Sequence, residues 1–291
     1  MVNDTERNDR FRDALRRVVR PGHTVLDIGA GTGLLGMVAA DHGATTVVSC
    51  EAVPPIADAA RRIVAANGHG TAVRVVAKHS TDLRVGVDLP RRADVIVTET
   101  VDYGLLGEAT LPTVRHARRE LLRPGGAMVP CSARLVATLV DSPAVSGLNH
   151  VERACGYDVS LFNAFRTPGY FPVWLARHPH RRLTGEHVVA GFDFRRDDLL
   201  PGERVSVLPV AAPGTCHGVA FWFELDLTDD VSLTNAPGRT GGHWPQAFFG
   251  LPRPAPLAAG EHVRLTAAWT DDDVRFRLSP ERRSAEQAAG A

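Results

Sequence analysis

The sequence predicts an α/β protein of two parts, a parallel α/β domain over residues 1–129 and an antiparallel β domain over residues 130–291. Three observations lead to this class. The chain has 291 residues, which is about two domains at roughly 150 residues each. Strand and helix patterns alternate in the first part. Near Pro130 the pattern changes to β-like segments separated by proline and glycine turns.

The first domain is predicted from short apolar strands that alternate with helical segments. Strands separated by helices of this length form βαβ units, so we expect a parallel sheet covered by helices on both faces. The run Arg-Pro-Gly-Gly at residues 123–126 predicts a turn after the last helix. The predicted strands are residues 24–28, 45–50, 73–77 and 94–98, and the predicted helices are residues 34–41, 56–66 and 111–122.

The second domain is predicted from segments in which apolar and polar residues alternate, as in residues 221–227 and 274–278. Such alternation is typical of antiparallel strands with one buried face, so we expect a barrel or a sandwich. Residues 161–174, between two of these segments, are rich in aromatic residues. The predicted strands are residues 134–140, 187–194, 204–210, 218–228, 247–251, 263–270 and 274–278.

The composition excludes several classes of function. The 33 Lys and Arg residues equal the 33 Asp and Glu residues in number, so the chain lacks the basic surface of a nucleic-acid-binding protein. No apolar run is long enough to span a bilayer, and the N-terminus is too polar for a signal peptide. The four cysteines form no C-x-x-C pair, which favours free thiols over a disulfide or metal site. We expect a cytoplasmic protein that binds neither nucleic acid nor a membrane.

A glycine-rich loop follows the first predicted strand, in the run from Val25 to Gly33. The dinucleotide fingerprint G-x-G-x-x-G fails here because its last glycine position is occupied by Leu34. Asp27 stands two residues before the first glycine, where it suits a cationic sulfonium and an amino group better than a pyrophosphate. Glu51 ends the second strand and can accept both hydroxyls of a ribose. Together these features predict S-adenosylmethionine (SAM) as the cofactor, not NAD.

Two glutamates follow the fourth predicted strand. Glu99 is at its carboxyl end, where open α/β sheets bind their ligands, and Glu108 comes nine residues later. Gly104 and Gly107 allow the intervening loop to turn both carboxylates toward one point. Two adjacent anions are costly unless a cation lies between them, and a guanidinium pairs well with carboxylates because its donors form a planar fork. The pair therefore predicts a guanidinium site.

With these residues in place, the sequence resembles the protein arginine N-methyltransferases, and most closely the seventh, monomethylating (type III) member. The resemblance extends over essentially the whole chain. The matching stretches include DTERN (residues 4–8), VLDIGAGTGLLGMVAA (25–40), KHST (78–81), VTETVD (97–102), LGE (106–108), ATLP (109–112) and GHW (242–244).

The resemblance implies a Rossmann-like SAM-dependent methyltransferase domain and a β-barrel domain. A helical dimerisation arm at about residues 155–180 would dock on the partner of a homodimer. The aromatic-rich part of that arm would be residues 158–174. Its five aromatic residues are Phe162, Phe165, Tyr170, Phe171 and Trp174, and we expect them to form an exposed interface.

The resemblance also implies roles for individual residues. Arg7 would pair with the SAM carboxylate, Glu51 would bind the ribose, and Glu99 and Glu108 would bind the substrate guanidinium. His243 would pair with Asp4 and thereby join the barrel to the N-terminal helix, and Trp244 would pack at the substrate. Further cofactor contacts would come from Asp27, Gly29, Gly31, Gly33, Ala52, Ser80 and Thr81, and further substrate contacts from Asp102 and Tyr103. The general base is either Glu108 or the Asp4–His243 pair.

Two positions depart from the family pattern. The aromatic motif that precedes the Asp4 position in the family has no counterpart here. In the family, that motif folds over SAM as a lid. Here, either the start site is placed late, the lid comes from elsewhere, or SAM is more exposed. Gly242 replaces a threonine before His243, which removes a hydroxyl and loosens that loop.

The zero net charge favours a small guanidine over a basic Arg/Gly-rich protein, with free L-arginine first. Such an enzyme would be similar to arginine methyltransferases of bacterial natural-product pathways that resemble the streptozotocin pathway. The alternatives are arginine residues in proteins, an amine-directed SAM methyltransferase, and a non-catalytic scaffold of the same fold. Asp102 matches the monomethylating branch, so we expect a single methyl to be added.

Overall fold

The computed structural model describes residues 1–196, 198–239 and 242–280. The predicted end of the second domain, at residue 291, lies outside these residues. A parallel α/β domain is followed by an antiparallel, barrel-like domain, as the sequence predicts. One hydrophobic core extends through both, from Phe11 and Val95 in the first part to Phe221 and Phe276 in the second.

The first domain is a five-stranded sheet in the order β3-β2-β1-β4-β5, and all neighbouring strands are parallel. Every residue of its central strands β1 and β4 is buried, because helices cover both faces. The strands are β1 (Thr24–Ile28), β2 (Thr46–Cys50), β3 (Val73–Val76), β4 (Ala93–Thr98) and β5 (Leu122–Val129), and the helices are α1 (Thr5–Val18), α2 (Leu34–Asp41), α3 (Pro54–Ala66) and α4 (Thr110–His116).

The predicted strands β1 to β4 and the first two predicted helices are confirmed to within two residues. The third predicted helix divides into α4 and a π-helical turn at Ala117–Leu121. The predicted turn at residues 123–126 is wrong, because these residues lie within β5. The pairing of β5 with β4 jumps from Leu122 to Ala127. The intervening proline and glycines therefore form a bulge in β5. These residue types are typical of turns, so the sequence did not predict a strand there.

The second domain is antiparallel throughout. A short helix α5 (Pro143–Ser146) follows its first strand. The strands are β6 (Ser132–Asp141), β7 (Arg153–Ala154), β8 (Tyr157–Asp158), β9 (Tyr170–Val173), β10 (Arg181–Arg182), β11 (His187–Asp193), β12 (Gly202–Pro209), β13 (Gly214–Thr228), β14 (Val231–Thr234), β15 (Gln246–Leu257), β16 (His262–Trp269) and β17 (Val274–Pro280).

The main sheet of this domain runs in the order β10-β6-β13-β15-β9, with β11 paired to β6 and β14 paired to β13. A second sheet has the order β12-β16-β17, and β7 and β8 form a hairpin. The seven predicted strands are all present. The short strands β7, β8, β10 and β14, and the strand β9, were not predicted, because each has too few residues to show an alternating pattern.

The predicted arm is divided by the structure. Phe162 and Phe165 lie in a short 3-10 helix, Ser160–Phe165, and are 67% and 79% exposed. Tyr170 and Phe171 belong to β9, which pairs with β15, and their rings are buried. The prediction of one exposed aromatic surface is therefore wrong for these two residues, because β9 pairs with β15 and its two faces bury Tyr170 and Phe171 in separate hydrophobic clusters. Trp174 is partly buried.

Within the residues that the structure describes, no helix has the length and apolar character needed to cross a bilayer. The four cysteines are free thiols.

Candidate functional site

A cavity of about 960 Å³ lies at the carboxyl edge of the parallel sheet. The ends of β1, β2 and β4 form one side of it, and the barrel loop that carries His243 and Trp244 forms another. The predicted site residues that line it are Arg7, Gly29, Gly31, Glu51, Ala52, Ser80, Glu99, Asp102, Tyr103, Glu108, His243 and Trp244. The cavity wall does not include Asp4, Asp27, Gly33 or Thr81.

The glycine loop reverses the chain tightly after β1. Gly29, Gly31 and Gly33 have φ angles of 74°, 52° and 78°, in the left-handed region that favours glycine. The backbone N–H groups of Gly29 and Ala30 both donate to the Cys50 carbonyl, at 3.0 Å each. A Cβ on Gly29 would lie 2.7 Å from a methyl of Thr100. The loop can therefore lie close to the end of β4 only with glycine there.

Glu51 is held at the cavity wall by backbone donors. One carboxylate oxygen accepts from Gly31 N–H at 3.0 Å, and the other accepts from Val53 N–H at 2.9 Å. Each oxygen retains a lone pair, since a carboxylate can accept about four hydrogen bonds. Glu51 therefore has a fixed orientation and can still accept two hydroxyl donors.

Asp27 supports the glycine loop from beneath and does not contact the cavity. Its Oδ2 accepts from the Gly36 N–H at 3.1 Å and from the Ser49 hydroxyl at 2.9 Å. Burial raises the pKa of Asp27 to about 6, although both hydrogen bonds oppose the shift. The structure therefore gives Asp27 a position different from the expected one at the methionine end of SAM. The reason is that its side chain turns toward the start of α2.

Four further predicted cofactor residues lie at or behind the wall. Ser80 is buried and lines the cavity, whereas Thr81 is exposed and shares a hydrogen bond with the His79 ring. Gly33 directly precedes α2, and a Cβ on Gly33 would lie 2.9 Å from a methyl group of Val64. Ala52 lines the cavity from the end of β2. The chain's one lysine, Lys78, also lines it, a residue to which the sequence assigned no role.

Arg7 and Glu99 form a buried ion pair at the floor of the site. Arg7 Nη2 donates to Glu99 Oε2 at 2.5 Å, and the two side chains are only 7% and 5% exposed. Burial raises the pKa of Glu99 to about 7; the Arg7 charge opposes this shift and the Glu108 charge adds to it. Arg7 Nη1 donates to Asn8, whereas Arg7 Nε is buried with no partner among the described residues. A guanidinium has about five N–H donors, so Arg7 retains donors for a further anion.

Glu108 is the exposed member of the glutamate pair. Its carboxylate has no hydrogen-bond donor among the residues that the structure describes, although it lines the same cavity as Glu99. Burial and the neighbouring Asp102 charge raise its pKa. Two acidic groups, one paired with Arg7 and one without a partner, therefore meet at one cavity and attract a further cation.

The loop between the glutamates is folded around Asp102. Asp102 Oδ1 accepts from the Gly104 and Gly107 N–H groups, at 3.1 and 3.0 Å, and Oδ2 accepts from the Tyr170 hydroxyl at 3.0 Å. A Cβ on Gly104 would lie 2.4 Å from the Tyr170 ring, and a Cβ on Gly107 would lie 2.6 Å from Asp102. These glycines are thus required for close approach rather than for an unusual φ.

His243 is held against the N-terminal helix by Asp4. Its Nδ1 lies 2.8 Å from Asp4 Oδ2, and its backbone N–H donates to the same oxygen at 3.0 Å. Asp4 also caps α1, because its Oδ1 accepts from Arg7 N–H at 2.9 Å. Burial alone would raise the pKa of Asp4, but these bonds from Arg7 and His243 lower it. Burial lowers the pKa of His243 against the opposing effect of Asp4.

Trp244 and Asn235 connect the barrel with the glutamate loop. Trp244 stacks on His243 with ring centroids 3.8 Å apart, and its Nε1 donates to the Val101 carbonyl at 3.1 Å. Asn235 Nδ2 donates to the Tyr103 carbonyl at 3.0 Å. Asn235 and Tyr170 were not predicted as site residues. An asparagine before Ala-Pro-Gly is typical of a turn, and only the tertiary fold brings either residue to the loop.

Comparisons with known proteins show the family to which the chain belongs. Residues 25–126 match the methyltransferase domain family, and residues 156–279 match the arginine methyltransferase oligomerization subdomain. The chain is 46% identical over 278 residues to an arginine N(omega)-methyltransferase of Streptomyces achromogenes subsp. streptozoticus, covering 96% of this chain and 77% of that protein. It is 32% identical to protein arginine N-methyltransferase 7 of Drosophila ananassae, covering 91% of this chain but only 45% of that protein.

Two solved structures share the fold. One is the Trypanosoma brucei PRMT1 enzyme–prozyme heterotetrameric complex with AdoHcy, with a TM-score of 0.82, 24% identity, and coverage of 99% of this chain and 93% of that chain. The other is Arabidopsis thaliana protein arginine methyltransferase 10, with a TM-score of 0.77, 22% identity, and coverage of 95% and 90%. Both pair an α/β domain with a barrel-like domain in the same arrangement.

The close packing at Gly104 gives a stability prediction. We expect Gly104→Ala to lower the free energy of unfolding by about 1–3 kcal/mol, because the buried Tyr170 ring cannot give way to the added methyl. The control is Gly147→Ala, since a Cβ there has nothing within 4 Å, and its effect should stay within ~0.5 kcal/mol. Urea unfolding followed by circular dichroism measures both. Equal midpoints for Gly104→Ala and the wild type would contradict the packing described.

Proposed function

The chain belongs to the arginine methyltransferase family and is a SAM-dependent arginine N-methyltransferase, and from this premise we propose that Glu99 and Glu108 bind the guanidinium of free L-arginine. One observation carries the proposal: the two glutamates line the same cavity as Glu51 and the glycine loop. A guanidinium between two carboxylates is thereby brought next to a site suited to a nucleoside. The third carboxylate at this cavity, Asp102, is already occupied by hydrogen bonds from Gly104, Gly107 and Tyr170.

The residues present fit SAM. Glu51 is oriented by Gly31 and Val53 and can accept two ribose hydroxyls. Arg7 lines the cavity and uses only two of its guanidinium N–H groups within the described part of the chain, so it can donate to the amino-acid carboxylate of the cofactor. The residue at the adenine end would be Ser80, which is buried at the wall. When bound, SAM supplies a methyl group on a positively charged sulfur.

The two glutamates prepare a poor nucleophile. A guanidinium keeps its lone pairs delocalised and its pKa above about 12. Carboxylates that hold two of its N–H groups draw the positive charge toward themselves and leave the third nitrogen aimed along the line of transfer. Positioning of this kind can lower a barrier by several kcal/mol, up to about 7–11 kcal/mol in the best cases. Burial raises the pKa of Glu99 to about 7, and the Arg7 charge opposes the shift and so favours the ionised form that this task needs.

A proton leaves the attacking nitrogen during or after transfer. Two groups can accept it. Glu108 lines the cavity with a raised pKa and no competing donor among the described residues. His243 donates through Nδ1 to Asp4, which leaves its Nε2 as an acceptor, and its lowered pKa keeps the ring neutral at pH 7. We propose that one of these two groups is the general base.

Free L-arginine is the proposed substrate for two reasons. The Streptomyces relative is named an arginine N(omega)-methyltransferase and is similar to nearly the whole of this chain. The chain has zero net charge, so it lacks the negative electrostatic field that would attract basic Arg/Gly-rich proteins. The alternative, arginine residues in proteins, follows from the named activity of the protein arginine N-methyltransferase 7 relatives, of whose length the chain spans less than half.

Incubation with SAM and either L-arginine or an Arg/Gly-rich peptide, followed by mass spectrometry, tests the substrate. We expect free arginine to gain one methyl and the peptide to gain none. Methylation of the peptide alone would overturn the choice of free arginine, and methylation of neither would overturn the guanidinium assignment.

We also propose a monomethylated product, since the Asp102 carboxylate lines the cavity beside Glu108 and narrows the space for the substrate. Abundant dimethylarginine after long incubation would contradict that part.

We propose that the chain forms a homodimer through the exposed end of the arm. Leu161, Phe162 and Phe165 are 91%, 67% and 79% exposed, which leaves an apolar patch of the kind that marks an interface. They lie in the region that matches the oligomerization subdomain. A two-fold dimer is also the commonest symmetric assembly of soluble proteins.

The dimer predicts the effect of changing two of these residues. Phe162→Ser combined with Phe165→Ser should give monomers and weaken activity, because the apolar patch is lost. Val207→Ser is the control, since Val207 is 44% exposed on β12, and it should leave the dimer intact. Light scattering of the three proteins measures the change. A wild-type protein that is already monomeric at micromolar concentration would overturn the proposal.

The glutamate assignment predicts a separation of binding from transfer. Glu99→Gln and Glu108→Gln should each lower kcat by about 10²-fold or more, because the amides lose the charge that localises the guanidinium. Binding of SAM, measured by titration calorimetry, should change by no more than about threefold for Glu108→Gln, since Glu108 contacts no residue assigned to the cofactor. Glu99→Gln should weaken SAM binding more, because it removes the charge that holds Arg7 in place. Glu120→Gln, on an exposed helical turn, is the matched control. Wild-type turnover by either glutamate variant would refute the role of that residue.

The raised pKa of Glu99 predicts the dependence of activity on pH. Its pKa is about 7, so the carboxyl is mostly protonated below that pH and mostly an anion above it. The anion binds the guanidinium; kcat/KM for arginine should therefore rise by about tenfold per pH unit below 7 and level off above it. Initial rates between about pH 5.5 and 8.5 measure this. A flat profile over the whole range would contradict the requirement for ionised Glu99.

A further inference from the structure

Three consecutive residues of the loop between Glu99 and Glu108 are held by the barrel. The Val101 carbonyl accepts from Trp244 Nε1 at 3.1 Å, Asp102 Oδ2 accepts from the Tyr170 hydroxyl at 3.0 Å, and the Tyr103 carbonyl accepts from Asn235 Nδ2 at 3.0 Å. We infer that Tyr170 and Asn235 are positioning residues, which set the place of Glu108 relative to Glu99 without touching the substrate. The inference rests on the proposed role of the two glutamates.

Tyr170 acts on Glu108 through a single partly buried carboxylate, that of Asp102. The Asp102 oxygen that Tyr170 leaves free accepts from Gly104 and from Gly107, the residue directly before Glu108. The Tyr170 ring is itself fixed, because it packs edge-on against Tyr103 and Phe221 with centroids 5.6 and 5.2 Å away. Burial and the Asp102 charge raise the pKa of Tyr170, so its hydroxyl remains a donor.

Asn235 joins the two sides of the cavity. It is buried, and its Oδ1 accepts from the Phe223 N–H of β13 at 2.8 Å. Its Nδ2 donates both to Tyr103 in the glutamate loop and to the carbonyl of Pro245, at 3.0 and 2.6 Å. Pro245 follows the His243–Trp244 pair directly. The amide therefore fixes the glutamate loop and the histidine loop to the same barrel strand, and its orientation is set by one donor and two acceptors.

The loop needs external support because its backbone is strained. Leu105 and Ala109 have φ angles of 79° and 56°, which side chains other than glycine rarely adopt. Such conformations persist where the surrounding structure holds them in place. The two residues flank Glu108 within four positions. Removing a barrel contact should therefore let the loop relax and move Glu108, and a small displacement is costly where transfer depends on alignment.

Tyr170→Phe tests the hydroxyl alone, because the ring and its packing remain. We expect kcat/KM for the guanidine substrate to fall by roughly tenfold or more, mainly through kcat, with SAM binding unchanged. Asp102→Asn provides a second readout. It removes the charge that Tyr170 satisfies, so the double variant Tyr170→Phe, Asp102→Asn should lose less activity than the two single losses combined.

Asn235→Asp tests the second contact, since it is isosteric but places a carboxylate against two carbonyl oxygens. The control is Thr138→Val in the same barrel; Thr138 is fully buried and its hydroxyl donates to the Thr184 carbonyl at 2.9 Å. We expect Thr138→Val to lower the melting temperature but to keep the wild-type kcat. Asn235→Asp should lower kcat by roughly tenfold or more with SAM still bound.

The inference is overturned if Tyr170→Phe keeps the wild-type kcat and KM, whether or not Asn235→Asp folds. It is also overturned if both variants lose activity only in proportion to lost SAM binding and melting temperature. All measurements use the full-length enzyme and whichever guanidine substrate the wild type methylates. A wrong choice of substrate therefore appears in the wild type, whereas a wrong positioning role appears only in the variants.

Discussion

Two carboxylates that share a partly buried cavity repel each other, and the site depends on how that cost is met. Arg7 Nη2 lies 2.5 Å from Glu99 Oε2, and the Arg7 charge keeps the pKa of Glu99 from rising above about 7. Arg7 reaches this position because Asp4 caps the first turn of α1. The Asp4 carboxylate accepts a hydrogen bond from the backbone N–H of Arg7. Asp4 also binds His243 from the barrel. One acidic cap therefore connects the N-terminal helix, the sheet edge and the barrel around the anion.

The two domains contribute different things to the same reaction. The parallel sheet supplies the cofactor loop, Glu51 and the starting point of the glutamate loop at the end of β4. The barrel supplies the donors that hold residues 101–103 and the histidine that faces them. One hydrophobic core is also continuous between the two domains. The proposed guanidinium site therefore depends on both domains together.

The sequence was sufficient where function depends on neighbouring residues. Local patterns were enough to predict the glycine loop, Glu51, Glu99 and Glu108, because each of them stands at or shortly after the end of a predicted strand. Of the long-range contacts, only the pair of Asp4 with His243 was expected, and it came from the family resemblance. The contact of Arg7 with Glu99 joins residues 92 positions apart and was missed, as was Asn235, which resembles a turn residue. Strand β5 was missed because local turn chemistry outweighed its pairing with β4. The buried rings of β9 were misread because nothing local distinguishes a barrel strand from an exposed arm.

The central claim is that a guanidinium binds to Glu99 in its ionised form. Calorimetric titration of L-arginine into the enzyme with S-adenosylhomocysteine, at pH 7 in buffers of different ionisation enthalpy, counts the protons exchanged. With a pKa near 7, Glu99 is about half protonated, so binding should release up to about half a proton, and Glu99→Gln should release none. Binding of arginine with no release of protons by the wild-type enzyme would contradict the account.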